Sequence, residues 1–487
     1  MRYPMQQRLQ RIHLQHLFLK NNKKPDCRPT LPLTTLNDSM RMNPMERINR
    51  AAPFVAGFCG LLIAQQSYAE GFLEDSKASI LARNFFSNAD NRSGAADPNY
   101  TQEWGQGFML NYQSGYTPGT VGFGVDALGQ LGIRLDSGKG RHYNPQSTAF
   151  NGNIFPTDSD GRAVDEFSSL GATLKARVSR TELKYGTLVP MLPVVMSTDR
   201  MLQQTFRGGQ IQSGDLKDFT FTAGQLEHVM GRGSTNQMGM SIPGANNPLT
   251  GEFVNKFYYA GVDYKPTKDL TLQYYYGNLE NFYKQNFLGL KYDMQLGPGI
   301  LRTDLRHFDN RSDGANGHDP AFYTVGYYGN GVTKGEVDSR LSSAQFTYLI
   351  DGHTFAAGYQ AVTGDSDAVW LNQGDGSTAY FMTESMIGKF QRAGERTWQV
   401  RYGYDFAKLG VPGLNFLAMY ESGSNIQTSD GDKKEWERNV TLSYVVQSGP
   451  AKNLSIALRH AQLRTEFASQ RDSDEHRVIV SYPINIF

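Results

Sequence analysis

From Val121 to Leu135 the chain alternates in polarity. Val121, Phe123, Val125, Ala127, Leu131, Ile133 and Leu135 take one phase, while Gly122, Gly124, Asp126, Leu128, Gln130, Gly132 and Arg134 take the other. A side-chain period of two belongs to a β-strand. Strands of soluble sheets run to about 5 or 6 residues. A segment this long is expected of a tilted strand that crosses a membrane with its apolar phase against lipid.

The pattern recurs along the chain. Phe108, Leu110 and Tyr112 alternate with Met109 and Asn111, and Leu170, Ala172, Leu174, Ala176 and Val178 with Gly171, Thr173, Lys175, Arg177 and Ser179. Leu288, Leu290, Tyr292, Met294 and Leu296 alternate with Gly289, Lys291 and Asp293, and Trp398, Val400, Tyr402, Tyr404 and Phe406 with Gln399, Arg401 and Asp405. About seventeen such segments can be counted, the final one reaching the C-terminal Phe487. An amphipathic strand also suits a sheet with one face in water. Three features favour a membrane: the number of strands, tyrosines near strand ends where an interfacial girdle would lie, and a terminal aromatic of the kind read by outer-membrane assembly machinery. No run reaches the roughly 20 apolar residues a spanning helix requires, so an all-β, closed, antiparallel transmembrane barrel is predicted.

Connections alternate in length. Thr117-Pro118-Gly119, Lys265-Pro266-Thr267, Gly297-Pro298-Gly299 and Val411-Pro412-Gly413 read as tight turns, and Ser137 to Asp165, Leu188 to Asp215, Asn310 to Asp338 and Gly364 to Glu395 as long loops. One loop is unusually greasy: Leu188, Val189, Met191, Leu192, Val194, Val195 and Met196 accompany Pro190 and Pro193. A surface loop would not be so apolar, so this segment is expected to fold into the barrel and form its constriction.

Composition agrees, with 51 Gly, 26 Tyr and 28 Phe against 2 Cys. Arg47 and Arg50 precede an apolar segment, Ala51 to Ala64, and then the small residues Ser67 and Ala69. Residues 45–69 therefore read as a secretory signal peptide, and residues 70–487 as a single barrel. Cys59 follows Phe58, whereas a lipoprotein cysteine would follow a small residue. The polar, basic residues 1–44 read as an extension from an early start codon; a transit peptide is at odds with the export signal behind it. Without residues 1–69 the chain keeps 38 Lys and Arg against 44 Asp and Glu, a net charge of −6, and loses both Cys27 and Cys59. No disulfide framework or cysteine metal site is then expected.

Little catalytic chemistry is visible. Gly231-Arg232-Gly233-Ser234 lacks the remaining glycine and helix of a nucleotide loop, and Asp158-Ser159-Asp160-Gly161 lacks the later glutamate of a calcium loop. The histidines are scattered, no catalytic triad is apparent, and neither a cofactor nor nucleic-acid binding is expected. What stands out is a set of cations on the wet phase: Arg134, Lys175, Arg177, Lys291, Arg302, Arg306, Arg401 and Arg459, with Arg83 in addition. Scattered wall charges can simply keep a channel hydrated. Taken together, the guanidinium groups suggest a route for carboxylates or phosphates, which their planar fork binds bidentately.

Asp126-Ala-Leu-Gly-Gln-Leu-Gly-Ile-Arg134-Leu-Asp136, Thr181-Glu-Leu-Lys-Tyr-Gly186, Trp398-Gln-Val-Arg-Tyr402, Lys434-Glu-Trp-Glu-Arg438 and Asp474-Glu-His-Arg-Val-Ile-Val-Ser-Tyr482 resemble the OprD family of substrate-specific porins, and the resemblance covers the whole of residues 70–487. It implies an outer-membrane barrel of eighteen strands, an inward-folded third loop, and a ladder of basic side chains that guides small carboxylate-bearing solutes. The matching ladder positions are Arg83, Arg134, Lys175, Arg177, Arg306, Arg401 and Arg459, faced by Asp199 on the third loop and Asp365 at the start of the seventh. Met419 and Ala457 stand where the family often places arginine, which thins the ladder and favours simple organic acids over amino acids. Expected partners are these solutes, outer-membrane lipid and lipopolysaccharide, and the assembly machinery and periplasmic chaperones during biogenesis. The competing reading is a barrel with a structural or adhesive role played by its long loops.

Overall fold

The computed structural model describes residues 71–93, 99–137, 141–142, 154–242, 253–314, 336–371, 380–467 and 470–487, all within the unit Ala69–Phe487. The expected extension and signal peptide, residues 1–69, lie outside the described residues. The strands are β1 (Lys77–Asn91), β2 (Tyr100–Gln113), β3 (Gly122–Asp136), β4 (Glu166–Val178), β5 (Thr181–Leu188), β6 (Met191–Leu192), β7 (Val195–Met196), β8 (Thr205–Ser213), β9 (Phe219–Met230) and β10 (Phe257–Tyr264). There follow β11 (Leu270–Leu279), β12 (Tyr283–Leu296), β13 (Gly299–Ser312), β14 (Asp338–Ile350), β15 (His353–Gly364), β16 (Arg396–Asp405), β17 (Leu414–Ile426), β18 (Lys433–Val445), β19 (Ser455–Thr465) and β20 (Ser473–Asn485). Apart from β6 and β7, which pair with each other, they form one antiparallel sheet of eighteen strands.

Each strand pairs with its neighbours in chain order, and β20 pairs antiparallel with β1, from Ser79 opposite Asn485 to Asn91 opposite Ser473. An even number of up-and-down strands brings the last one back antiparallel to the first, so the sheet closes without an edge. The seam extends to the final residue: Ala78 N–H donates to the Phe487 carbonyl at 3.1 Å, and Ile486 N–H to the Ala78 carbonyl at 2.8 Å. In hydrocarbon an unpaired backbone group costs several kcal/mol, on the order of 4 to 8 by cyclohexane transfer. Closure therefore sets the architecture.

The expected phase holds. Phe123, Leu170, Leu174, Leu288, Trp398 and Val400 point outward and exposed, with Leu174 at 66%. Tyr112, expected on that face, is instead buried, its hydroxyl 3.3 Å from Ser76 Oγ. The eighteenth strand escaped counting because Thr205–Ser213, placed in the long loop Leu188 to Asp215, is β8. Gly208 and Gly209 blur its alternation.

Short turns join the strands at the end that holds both chain termini, for example Gly297 and Pro298 between β12 and β13. Nine connections lie at the other end. Three matter for the interior: L2 (137–165), L3 (189–204) and L7 (365–395).

Leu174→Lys is expected to lower barrel stability in lipid vesicles by about 2–4 kcal/mol, the cost of a lipid-facing charge near the midplane. Lumen-facing Asn111→Lys should change it little; urea unfolding monitored by tryptophan emission checks both, and an equal loss would show the phase to be misread.

Candidate functional site

L3 is fastened at two places. Near its start, Val194 and Val195 pack among Phe257, Leu279, Phe282 and Phe287, on β10 to β12 and the connection between β11 and β12. Near its end, Met201 and Leu202 pack among Phe85, Met109, Phe155 and Phe167, on the opposite wall formed by β1 to β4 and on L2. Room for this second anchor comes from glycine: a Cβ on Gly107 would stand 2.8 Å from Met201 Cγ and 2.9 Å from its carbonyl oxygen, and one on Gly132 2.8 Å from Met201 Cε. The Gln130 side chain on β3 completes the clasp. Its Nε2 donates to the Gln203 carbonyl at 3.1 Å, and its Oε1 accepts from Gln203 N–H at 2.7 Å. The loop thus lies inside the barrel, with its polar middle, Ser197 to Arg200, between two apolar anchors. Beside it is a cavity of about 550 Å³ lined by Asn111, Gln113, Asp126, Lys184, Gln203 and Gln210 together with apolar residues that include Leu128 and Leu188.

The cations expected in the lumen fall into two groups. Several already have a protein carboxylate. Arg83 Nη1 lies 2.7 Å from Asp199 Oδ2 and also bonds the Arg200 carbonyl. Arg306 grips Asp304 through two bonds of 2.8 and 2.6 Å, Arg302 grips Asp293 at 2.7 and 2.6 Å, and Lys175 Nζ meets Asp126 at 2.6 Å. Arg134 pairs with Asp165 and bonds the carbonyls of Ala163 and Ser137, so it ties L2 to the rim. Lys291 stands 5.5 Å from the Tyr380 ring.

Arg177, Arg401 and Arg459 differ: among the described residues no carboxylate lies within ion-pair distance of any of them. Arg177 stacks 4.1 Å from the Tyr116 ring. Arg401 donates only to neutral oxygens, Gln399 Oε1 at 2.5 Å and the Met382 carbonyl at 2.9 Å. Arg459, on the inward phase of β19, lies opposite Arg477 on β20. Met419 is the cross-strand partner of Arg401, so the position that lacks a cation adjoins one that has it.

Asp199 of L3 lies against Arg83. Asp365 sits at the rim, next to Ser366, whose N–H donates to the Asp338 carbonyl at 3.1 Å. Main-chain carbonyls of L7 meet three lumen arginines: Tyr380 for Arg306 at 2.5 Å, Met382 for Arg401, and Met386 for Arg477 at 3.0 Å. Sequence reasoning missed Arg477, Tyr380 and the wall glutamates. Glu437 accepts from the amides of Met386 at 3.0 Å and Ile387 at 3.1 Å, from that of Gly388, and from Ser385 Oγ at 2.9 Å, which clamps the L7 turn to β18. A signal existed in aromatics on the wet phase: Phe287 and Phe308 share it with Lys291 and Arg306, and both are buried beside Tyr380 and Phe381 of L7.

The family model described as "outer membrane porin, OprD family" matches residues 70–486. The chain belongs to the OprD family. Among its relatives, the Porin-like protein GalP of Pseudomonas putida is 36% identical over 423 residues, which are 86% of this chain and 95% of that protein. The crystal structure of Pseudomonas aeruginosa OccK8 (OprE) is 56% identical, with a TM-score of 0.77, over 86% of this chain and all of the other. That of Pseudomonas aeruginosa OpdK with vanillate is 37% identical, with a TM-score of 0.74, over 85% of this chain and all of the other. This OprD-family porin is accordingly a channel protein of the Gram-negative outer membrane, with the long loops at its outer end and the short turns at the periplasmic end.

L7 of the porin covers a buried group of charges: Asp367, Arg392 and Glu395 with Glu435 of β18. Burial pushes the Asp367 carboxyl up to about 7, although Arg392 and the Ala393 N–H, 2.8 Å from its Oδ1, pull the other way. Burial, reinforced by the charge of Glu435, likewise raises Glu395 well above the usual carboxylate range.

Two outcomes are expected. Gly107→Leu should dislodge Met201 and raise single-channel conductance, and an unchanged conductance would show that L3 is held elsewhere. An unfolded aspartate ionises near pH 4, whereas Asp367 keeps its proton to about 7. Folded L7 then binds more protons across that window, and its stability falls as pH rises through it. Exchange of the Ala393 amide, corrected for its intrinsic rate, should be faster at pH 8 than at pH 6, and Asp367→Asn should flatten the difference.

Proposed function

We propose that this porin passes small carboxylates passively, with L3 and L7 narrowing the lumen and the unpaired arginines Arg401, Arg459 and Arg177 serving as successive steps. The observation that carries the reading is the absence of a protein carboxylate from these three, among the described residues, while Arg83, Arg134, Lys175, Arg302 and Arg306 each have one. A guanidinium whose acceptors are neutral oxygens gains a charge-assisted bidentate bond when a carboxylate arrives. One already bound to Asp304 or Asp199 gains less and mainly shapes the passage. Neutral carbonyls from L7 hold Arg401 in place without satisfying its charge, so a solute can bind and still leave. That a relative, Pseudomonas aeruginosa OpdK, has been solved with vanillate, a carboxylate, supports the reading.

This reading includes no catalytic step. Its partners are the solutes themselves, membrane lipid with lipopolysaccharide, and the assembly and chaperone proteins that handle an exported barrel; residues 45–69 serve as the export signal.

Arg401→Ala and Arg459→Ala are each expected to cut benzoate or vanillate flux into proteoliposomes about tenfold, the value of one lost charge-assisted bond. Arg401→Lys should retain part of it. Liposome swelling rates check this, and unchanged rates in both alanine variants would dismiss the arginine steps.

A further inference from the structure

The outward face of β17 to β20 changes character abruptly along the strands. Leu442, Leu458 and Val478 form one row across β18, β19 and β20, all of them exposed toward hydrocarbon. Two residues nearer the outer end the row becomes Val440, His460 and His476, and two further on Arg438, Gln462 and Asp474. At about 3.4 Å per residue, each row stands roughly 7 Å beyond the last along the strand. The two imidazoles stack with ring centroids 4.4 Å apart. Tyr420 lies directly opposite Arg438, and Trp398, Tyr420 and Trp436 form a continuous aromatic run, with centroid spacings of 5.3 and 5.9 Å. Such a run marks the depth of the lipid headgroups.

Elsewhere on this outer rim the outward cations have acids: Lys284 meets Asp313 at 2.8 Å, Arg311 meets Asp309 at 3.2 Å, and Arg340 meets Asp309 at 3.4 Å. Arg464, on the same face, meets Asp474 at 2.7 Å. Arg438 is exposed and bonds only the neutral Gln462 Oε1 among the described residues. A guanidinium and two stacked imidazoles thus adjoin at headgroup depth, on a surface whose lower half faces acyl chains.

We infer that Arg438, His460 and His476 form a binding site on the outer wall for the phosphate of an outer-leaflet glycolipid. The headgroup phosphate accepts the fork of Arg438 and N–H donors of the imidazoles. The acyl chains lie along Leu442, Leu458 and Val478, and Tyr420 and Trp436 border the sugar. The lumen arginines are on the opposite side of the wall, so this site goes beyond the transport reading and stands independently of it.

To test it, the full barrel is extracted in neutral detergent, delipidated, and placed in phosphatidylcholine nanodiscs containing either bis-phosphorylated lipid A or its dephosphorylated form. Retained glycolipid is counted by native mass spectrometry. The wild type should hold the phosphorylated form and release the other. Arg438→Ala combined with His460→Asn and His476→Asn should lower retention at least about tenfold, with vanillate flux unchanged. Equal retention by the triple variant, or of the dephosphorylated glycolipid, overturns the site; displacement by inorganic phosphate alone would show a free-anion site instead and also overturns it. If the triple variant does not form a heat-modifiable barrel, Arg438→Gln, at an exposed position, gives the same reading.

Discussion

A peptide group that meets hydrocarbon without a partner is too costly to keep, and the rest of this structure follows from satisfying that demand with strands. Eighteen strands pair in chain order and the last returns to the first, so every pairing direction in the sheet is used. Once the ladder is closed, the two faces are free to diverge. One carries Leu174 and Leu288 against lipid, and the other carries Lys175 and Arg306 toward water.

A barrel of this girth leaves an interior too wide for its own side chains to fill, and the chain fills it with loops. L3 needs apolar seats at both ends, which Phe257 and Leu279 supply on one wall and Phe85 and Met109 on the other, with Gly107 and Gly132 giving clearance. L7 is held in both ways: Trp370 and Phe381 sit in the apolar cluster with Phe287 and Phe308, and its turn at Ser385 to Gly388 donates to Glu437. The two loops meet near Val194 and Tyr380, where L3 and L7 residues line one small gap. Charges on the wall are mostly neutralised locally, and the few that are not stand out by contrast.

Much of the barrel was legible in the sequence because alternation is local: each strand declares its faces without reference to any other. Val121 to Leu135 needed no partner to be read, and the apolar stretch from Leu188 to Met196 announced its inward course. What escaped depends on distance in space. Nothing in the neighbourhood of Arg401 shows that it finds the Met382 carbonyl, because the loop that presents Met382 lies more than a strand away in sequence. The same is true of Glu437, which reads as an ordinary wet-phase residue until the L7 turn is seen folded over it. Phe308, an aromatic in the wet phase, finds its reason only once L7 is seen to cover it.

The hydrogen bonds between Ala78 and the last two residues carry a temporal meaning. The partner of β1 is β20, which follows every other strand in the chain, so no intermediate made before it can possess a closed wall. Until β20 arrives, the nascent sheet has two raw margins. Whatever escorts it must shield both at once, and a chain lacking β20 would leave one side of β1 unmated.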